Sequence, residues 1–270
     1  MVAVDVAGER VRAVVLSDGR LIGATMIASN ADPKRTFLGL VGRDALPAGL
    51  VARIEAYRCE GASMKLNLAV EGLPRLRGDG SPSVQDYHRG LLQITKPLAD
   101  LDADQAGARQ GRIAATGHME VCIPSVHDPS LAPEGRHVVT VGVRSHPYRL
   151  ADSTWDAERE AAADRAIASL DEVMPGIAGR VIAREVLTPL DLERRLGLTG
   201  GHHLHGDMSP DQLLFLRPVR GATGYRSPIR GFYLCGAGTH PGGWVTGANG
   251  RNAARAMIAD ARARRLTRRR

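Results

Sequence analysis

The stretch YLCGAGTHPGGWVTGANGRNAARAM, from Tyr233 to Met257, carries six glycines between a short apolar run and a small-residue helix. That order, strand then glycine loop then helix, restricts the fold more than any other feature of the chain. Glycines at 236, 238, 242 and 243 remove side chains where another group must approach the main chain. Gly247, Ala248, Gly250, Ala253 and Ala254 give the following helix a smooth first face. Its free N–H groups and positive dipole end favour an anionic or electron-rich ligand, such as a pyrophosphate or the pyrimidine side of a flavin. A glycine-rich turn needed only for tight packing remains the competing reading.

The loop is not a dinucleotide fingerprint. GAGTHPG has the spacing GxGxxxG, one residue too long, and no other segment supplies GxGxxG. The sequence stops before a second parallel strand, so no βαβ unit forms from this stretch.

The rest of the chain reads as alternating mixed elements. ERVRAVVLSDGRLIGATMIASN is a strand meander with a hairpin turn at Asp18-Gly19. Asp32 caps a short helix that begins at Pro33. ASMKLNLAVEG alternates as a strand, and HMEVCIPSVHDPSLAPEGRHVVTVGV supplies two more. STWDAEREAAADRAIASLDEVMPG is a helix capped by Ser153 or Thr154; LTPLDLERRLGL is another, with Thr188 as cap. SPDQLLFLRPV reads as a helix start capped by Ser209, with Asp211 and Gln212 as alternative ligands to a cofactor or substrate. The fold class expected is α/β to α+β.

Composition bounds the function classes. Apolar residues make up 43%, enough for a real core, and aromatics only 4%, which argues against stacking platforms for single-stranded nucleic acid. The formal charge of +7 belongs to the last ten residues, ARARRLTRRR; without their six arginines the count is 30 basic against 29 acidic. The body is near neutral, and no nucleic-acid partner is expected. Cys59, Cys122 and Cys235 are scattered, with no CxxC pair, so neither a redox dithiol nor a zinc knuckle is indicated. No apolar run approaches the ~18 residues of a membrane span, and the N-terminus does not read as a signal peptide. A cytoplasmic location is expected. GHHLHGD, Gly201 to Asp207, invites a metal reading if His203 and His205 share a strand face, but a third ligand is missing. No metal is expected; a metal-dependent hydrolase around these histidines is the weakest alternative.

Several of these segments together resemble one family. ASNADPKRTF, LTPLDLERRLGLTGG, SPDQLLFLRPV and YRSPIRGFYLCGAGTHPGGWVTGANGRNAA look like the C-terminal half of the phytoene-dehydrogenase-like FAD-dependent oxidoreductases, and CIPSVHDPSLAPEGRHVV matches one branch of them. The resemblance implies the C-terminal half of an FAD/NAD(P)-binding fold of the amine-oxidase and phytoene-desaturase kind, a cofactor domain into which a mixed antiparallel-sheet and helix substrate domain is inserted. It implies cofactor-domain strands at 1–40, a substrate domain at 41–204, a flavin-side strand, loop and helix at 205–260, and a basic tail at 261–270. In that family FAD is held from two ends of the sequence, and the late loop is the second clasp.

By this resemblance the cofactor is FAD, and Asn30, Gly236, Gly238, Thr239, Gly242, Gly243, Val245, Thr246 and Asn249 lie on its flavin side. His240, His205 and Trp244 are candidates for the flavin or substrate face. His240 is equally readable as a structural histidine fixed by Pro241, and Trp244 replaces a glycine usual in the family. Catalytic residues are not legible, because hydride transfer to a flavin needs orientation and dryness more than acid–base groups. The implied activity is dehydrogenase, desaturase or amine-oxidase-like hydride transfer from an apolar or amphipathic small molecule. The implied partner is a separate N-terminal FAD-binding half carrying GxGxxG, or a second copy of the chain, since an open sheet edge drives pairing. The alternative is a non-catalytic or partner-dependent half-protein that binds no flavin alone. The flavin reading expects a space for a tricyclic ring beside residues 236–249, not burial of that loop against ordinary side chains.

Overall fold

A computed structural model describes residues 1–115 and 117–267. The chain divides into two compact units: an outer one of Met1–Glu60 with Leu196–Arg270, and a middle one of Gly61–Arg195.

The outer unit opens with β1 (Ala3–Ala7), β2 (Arg10–Val15) and β3 (Leu21–Gly23), an antiparallel meander in that order. The expected hairpin turn joins β2 to β3: Gly19 takes φ 84°, and Asp18 accepts from Arg20. A fourth strand, β4 (Ile27–Ser29), leaves the meander. Asp32 then caps the next helical turns, its carboxylate accepting from the Arg35 amide at 2.9 Å. Those turns widen to a π-helix over Arg35–Val41, closed by the Gly42 amide donating to the Phe37 carbonyl. Helix α1 (Ala48–Ala56) follows, burying Leu50 and Ile54.

The middle unit is built on β5 (Ser63–Glu71), whose period of two buries Met64, Leu66, Leu68 and Val70 on one face. A short β6 (Leu92–Ile94), helix α2 (Leu98–Arg109), β7 (Met119–Cys122) and the long β8 (Arg136–Arg144) come next. Helix α3 (Trp155–Val173) starts at Thr154, whose hydroxyl accepts from the Ala157 amide. Its Ala162, Ala163, Ala166, Ile167 and Leu170 join the β5 face in one core with Val121, Val141 and Val143. Strand β9 (Val181–Leu187) completes an antiparallel sheet of order β6-β7-β8-β5-β9. Helix α4 (Pro189–Leu196) begins with Thr188 and Asp191 bonded reciprocally: the Asp191 amide donates to the Thr188 hydroxyl, and the Asp191 carboxylate accepts from the Thr188 amide.

The chain re-enters the outer unit and reaches β10 (Phe232–Leu234), fully buried and paired in parallel with β4. Helix α5 (Ala248–Thr267) follows the glycine loop. The outer core gathers Val4, Phe37, Leu50, Ile54, Ile229 and Phe232.

Two expected boundaries move. Residues 41–60 lie in the outer unit, because Leu46, Leu50 and Ile54 pack in its core. Residues 196–204 also belong there: the Asp32 carboxylate accepts from the Thr199 amide and hydroxyl, and Gly200 lies against the Cys59 carbonyl. The basic tail expected from 261 is helical through Thr267; residues 268–270 lie outside the described residues. No described helix is long and apolar enough to cross a membrane.

Candidate functional site

Parallel pairing of β4 with β10 brings two chain ends together. Both strands run the same way, so Asn30 and Gly236 follow them side by side, and the Cys235 amide donates to the Ser29 carbonyl at 2.8 Å. Loops at the carboxyl ends of parallel strands are where open α/β sheets place ligands. Here those loops are Asn30–Asp32 and the glycine stretch.

Within that stretch the first four glycines are consumed by the chain's own packing. A Cβ at Gly236 would strike the Asn30 carbonyl, and one at Gly243 would strike the Leu204 side chain. At Gly238 it would lie 2.5 Å from the Pro33 ring, and at Gly242 2.6 Å from the Met208 methyl. This is the close approach that glycine alone permits, made to protein and not to an open space. The space for a tricyclic ring that the flavin reading expects beside residues 236–249 does not form at these four glycines, which are packed against Asn30, Pro33, Met208 and Leu204; only the residues that follow them are open. Trp244 is 63% exposed, Val245 fully so, and no atom lies within 4 Å of a Cβ built on Gly247 or Gly250. Trp244 sits at φ 72°, the left-handed region, which accounts for glycine being the easier residue there.

Thr239 and Asn249 are buried and bonded to one another. The Asn249 amide donates to the Thr239 carbonyl at 2.8 Å and to the Thr239 hydroxyl at 3.2 Å, and reaches the His240 carbonyl. The Thr239 hydroxyl donates to the Gly236 carbonyl. Their polar groups tie the loop to the first turn of α5. Thr246 is exposed, and its hydroxyl accepts from the Ala248 amide. His240 is exposed, with its carbonyl taken by the Tyr225 hydroxyl at 3.0 Å. Asn30 is exposed beside the loop.

His205 lies against the same loop, its carbonyl 3.5 Å from the Cβ position of Gly238. GHHLHGD is a turn and not a strand, with His205 at φ 58°, so the shared strand face expected for His203 and His205 does not form. Burial lowers the His205 pKa. Its Nδ1 is buried without a hydrogen-bond partner among the described residues. His202 pairs with Asp207 at 3.3 Å. Among the described residues no three His, Cys, Asp or Glu side chains come together as a metal site.

Sequence reasoning missed Arg217. The residue is 1% exposed, and its guanidinium donates to the carbonyls of Leu204, Gly206, Asp207, Gln212 and Ala237. It also stands over the Tyr57 ring at 6.0 Å. One cation thereby fastens the histidine turn to the glycine loop. Nothing in a lone Arg-Pro pair distinguishes such a clamp from a surface arginine. The proposed ligand role of Asp211 and Gln212 is corrected likewise. Pro210–Gln212 is one 3-10 turn, the Ser209 hydroxyl accepts from Arg58, and the Gln212 amide is spent on the Arg58 and Asp207 main chain. Arg58 also pairs with Asp211, holding that carboxyl down at about 2.

The three cysteines are free thiols. Burial raises all three, Cys59 to about 12, so none is a ready thiolate.

No protein-family model matches the chain. It is 40% identical over 257 residues to pyridine nucleotide-disulfide oxidoreductase domain-containing protein 2 of Rattus norvegicus, covering 93% of this chain and 44% of that protein. It is 28% identical over 258 residues to a lycopene-forming phytoene desaturase of a Paracoccus strain, covering 94% of this chain and 48% of that one. Among solved structures, an oxidoreductase from Methanosarcina mazei superposes with a TM-score of 0.51 at 16% identity, covering 95% of this chain and 48% of that one. The chain spans about half the length of the curated relatives it matches. The superposition shows a shared mixed α/β fold over the aligned part of the two chains.

Proposed function

The chain is a relative of pyridine nucleotide-disulfide oxidoreductase domain-containing protein 2 and the phytoene desaturases, and on that premise we propose that it is part of an FAD-dependent oxidoreductase, its outer unit forming the flavin-side clasp. The observation that carries the reading is the parallel β4–β10 pair, with Asn30 and the glycine loop side by side at its carboxyl ends and α5 behind. A bound flavin would accept hydride from a carbon of an apolar or amphipathic substrate.

The chain's residues then divide by task. Gly236, Gly238, Gly242 and Gly243 set the curve of the loop against Asn30, Pro33, Met208 and Leu204. Thr239 and Asn249 lock that curve to α5. The residues left to touch the ring are the exposed ones: Asn30, His240, Trp244, Val245 and Thr246, with the main chain of Gly247. His205, its pKa lowered by burial, holds its turn against Gly238.

One observation favours the partner-dependent reading alongside it. Phe215 is 78% exposed, beside Leu214 at 59%, and Trp244 and Val245 stand out on the rim. Apolar side chains of this size held in water suit a covering polypeptide. The flavin clasp is thus half of a grip completed by a second protein segment with a GxGxxG unit, or by another copy.

The test is absorbance near 450 nm after purification with added FAD. Flavin retained by the chain alone, or by the chain with a GxGxxG-bearing polypeptide, supports the clasp. Flavin retained equally when Asn30, Trp244 and Val245 are replaced together by Ala, Gly and Ser moves the site elsewhere. No flavin in either preparation leaves the non-catalytic interaction reading.

A further inference from the structure

We propose that the outer unit carries a second site, in a groove beside β2, for a phosphate-bearing small molecule of nucleotide size. The groove shares no residue with the glycine loop. Alternation along β2 buries Val11 and Ala13 and turns Arg10 and Arg12 together to the opposite, exposed face. A parallel bridge sets Arg230 beside Arg10, secured by the Val11 amide donating to the Arg230 carbonyl and the Arg230 amide to the Glu9 carbonyl. Three guanidinium-bearing residues thus meet at one strand.

Among the described residues, none of the three is within ion-pair distance of a carboxylate. Arg20, on the neighbouring hairpin, is paired with Asp18, and Arg226 with Asp260. Like charges gathered without an acid repel one another, and an incoming anion relieves that cost. Past Gly23 the chain peels from its pairing with β2, keeping one bond from the Ala24 amide to the Arg12 carbonyl at 2.8 Å. The gap is an open groove of about 680 Å³ lined by Arg10, Arg12, Gly23, Ala24, Thr25 and Met26. That volume lies within the range of small-ligand sites. Gly23 and Ala24 leave the floor clear of bulky side chains. Thr25 supplies a hydroxyl, and Ala24 with Met26 an apolar wall.

The lining prescribes the ligand. Planar guanidinium forks match phosphate oxygens two at a time. The apolar wall suits a ring or sugar attached to the phosphate. The groove is one strand pair long and holds no aromatic ring, which fits a single nucleotide better than a polynucleotide.

Isothermal titration calorimetry of the full chain at low ionic strength tests this with ADP, pyrophosphate and adenosine as probes. ADP is expected to bind, adenosine not, and added salt to weaken the ADP interaction. The Arg10→Gln, Arg12→Gln double variant is expected to weaken ADP by about tenfold or more, the loss expected when charge-assisted phosphate contacts go. Arg20→Gln, outside the groove, is expected to stay within about twofold of the parent, a paired surface arginine contributing little. Thermal unfolding confirms that the variants, changed only on an exposed face, remain folded. Absence of ADP and pyrophosphate binding at millimolar concentration overturns the proposal. So does equal ADP affinity in the folded double variant, or adenosine binding as tightly as ADP.

Discussion

Among the described residues Arg217 is the largest fully buried side chain, and it reaches no carboxylate within ion-pair distance. Its charge is spread over five carbonyl oxygens of two loops. Arg217→Met strands those acceptors in the interior and should cost more than about 3 kcal/mol. Arg217→Lys keeps the charge but has only three donors on one nitrogen, and should fall between. Urea midpoints for the three proteins check the order; Arg217→Met within about 1 kcal/mol of the parent would mean that the carbonyls find other partners. Trp244 offers the reverse case. A non-glycine residue in the left-handed region is strained by about 1–2 kcal/mol, and this indole is mostly exposed. Trp244→Gly releases that strain while giving the unfolded chain more freedom. The expected result is a urea midpoint unchanged or raised, where removal of a buried tryptophan would lower it steeply.

The glycine loop and α5 show how far one element's meaning is legible from its letters. Strand, loop and helix stand where the spacing puts them. The use of each glycine was not legible. Gly236 and Gly250 look equivalent in sequence, yet one abuts a main-chain carbonyl and the other faces open space. Only tertiary packing separates them. Gly250→Ala should stabilise by about 0.5–1 kcal/mol, since alanine costs less than glycine inside a helix. Gly236→Ala should destabilise by more than that, its methyl forced against the Asn30 carbonyl. Chemical denaturation of the pair decides it, and equal effects would contradict the packing. The meander, β5 and α3 were readable from period and caps, as at Thr154. Helices α1 and α2 and strands β6 and β9 were not. β9 exposes four consecutive residues, Ile182 to Glu185, so its alternation is lost at the sheet edge. α2 buries only Gly107 and Ala108, leaving no apolar stripe to count.

At the scale of the whole molecule, acid should act on the middle unit through a group far from the glycine loop in sequence. His146 is 2% exposed, stacked against Trp155 at 6.0 Å, and its Nδ1 bonds the Arg144 carbonyl at 2.8 Å. Burial is the main cause that lowers its pKa to about 4 in the folded state, against 6.5 unfolded. Between those values the unfolded chain holds a proton that the folded chain refuses. Stability from this group is therefore complete above pH 6.5 and lost as pH falls toward 4, by about 3 kcal/mol in all. His137 and His205 are lowered in the same direction by burial, so they add to the slope. The paired carboxylates Asp191, Asp211 and Asp260 are also lowered, but their contribution disappears only as pH falls through and below the ordinary carboxylate value of 3.8. The upper part of the window thus belongs to histidines, and Glu185, lowered from 4.5 by its hydrogen bonds to Asn67 and Arg195, joins them toward its lower end. His146→Gln removes the largest of them while keeping an amide donor. Its absolute stability will be lower, since no side chain reproduces the ring against Trp155. The decisive reading is the slope of urea midpoint against pH, which should flatten in the variant between 6.5 and 4 and match the parent below that window. With two compact units the unfolding curve need not be a single transition. The flattening should then appear in the transition of the middle unit; an unchanged slope there would show that His146 titrates as an exposed histidine does.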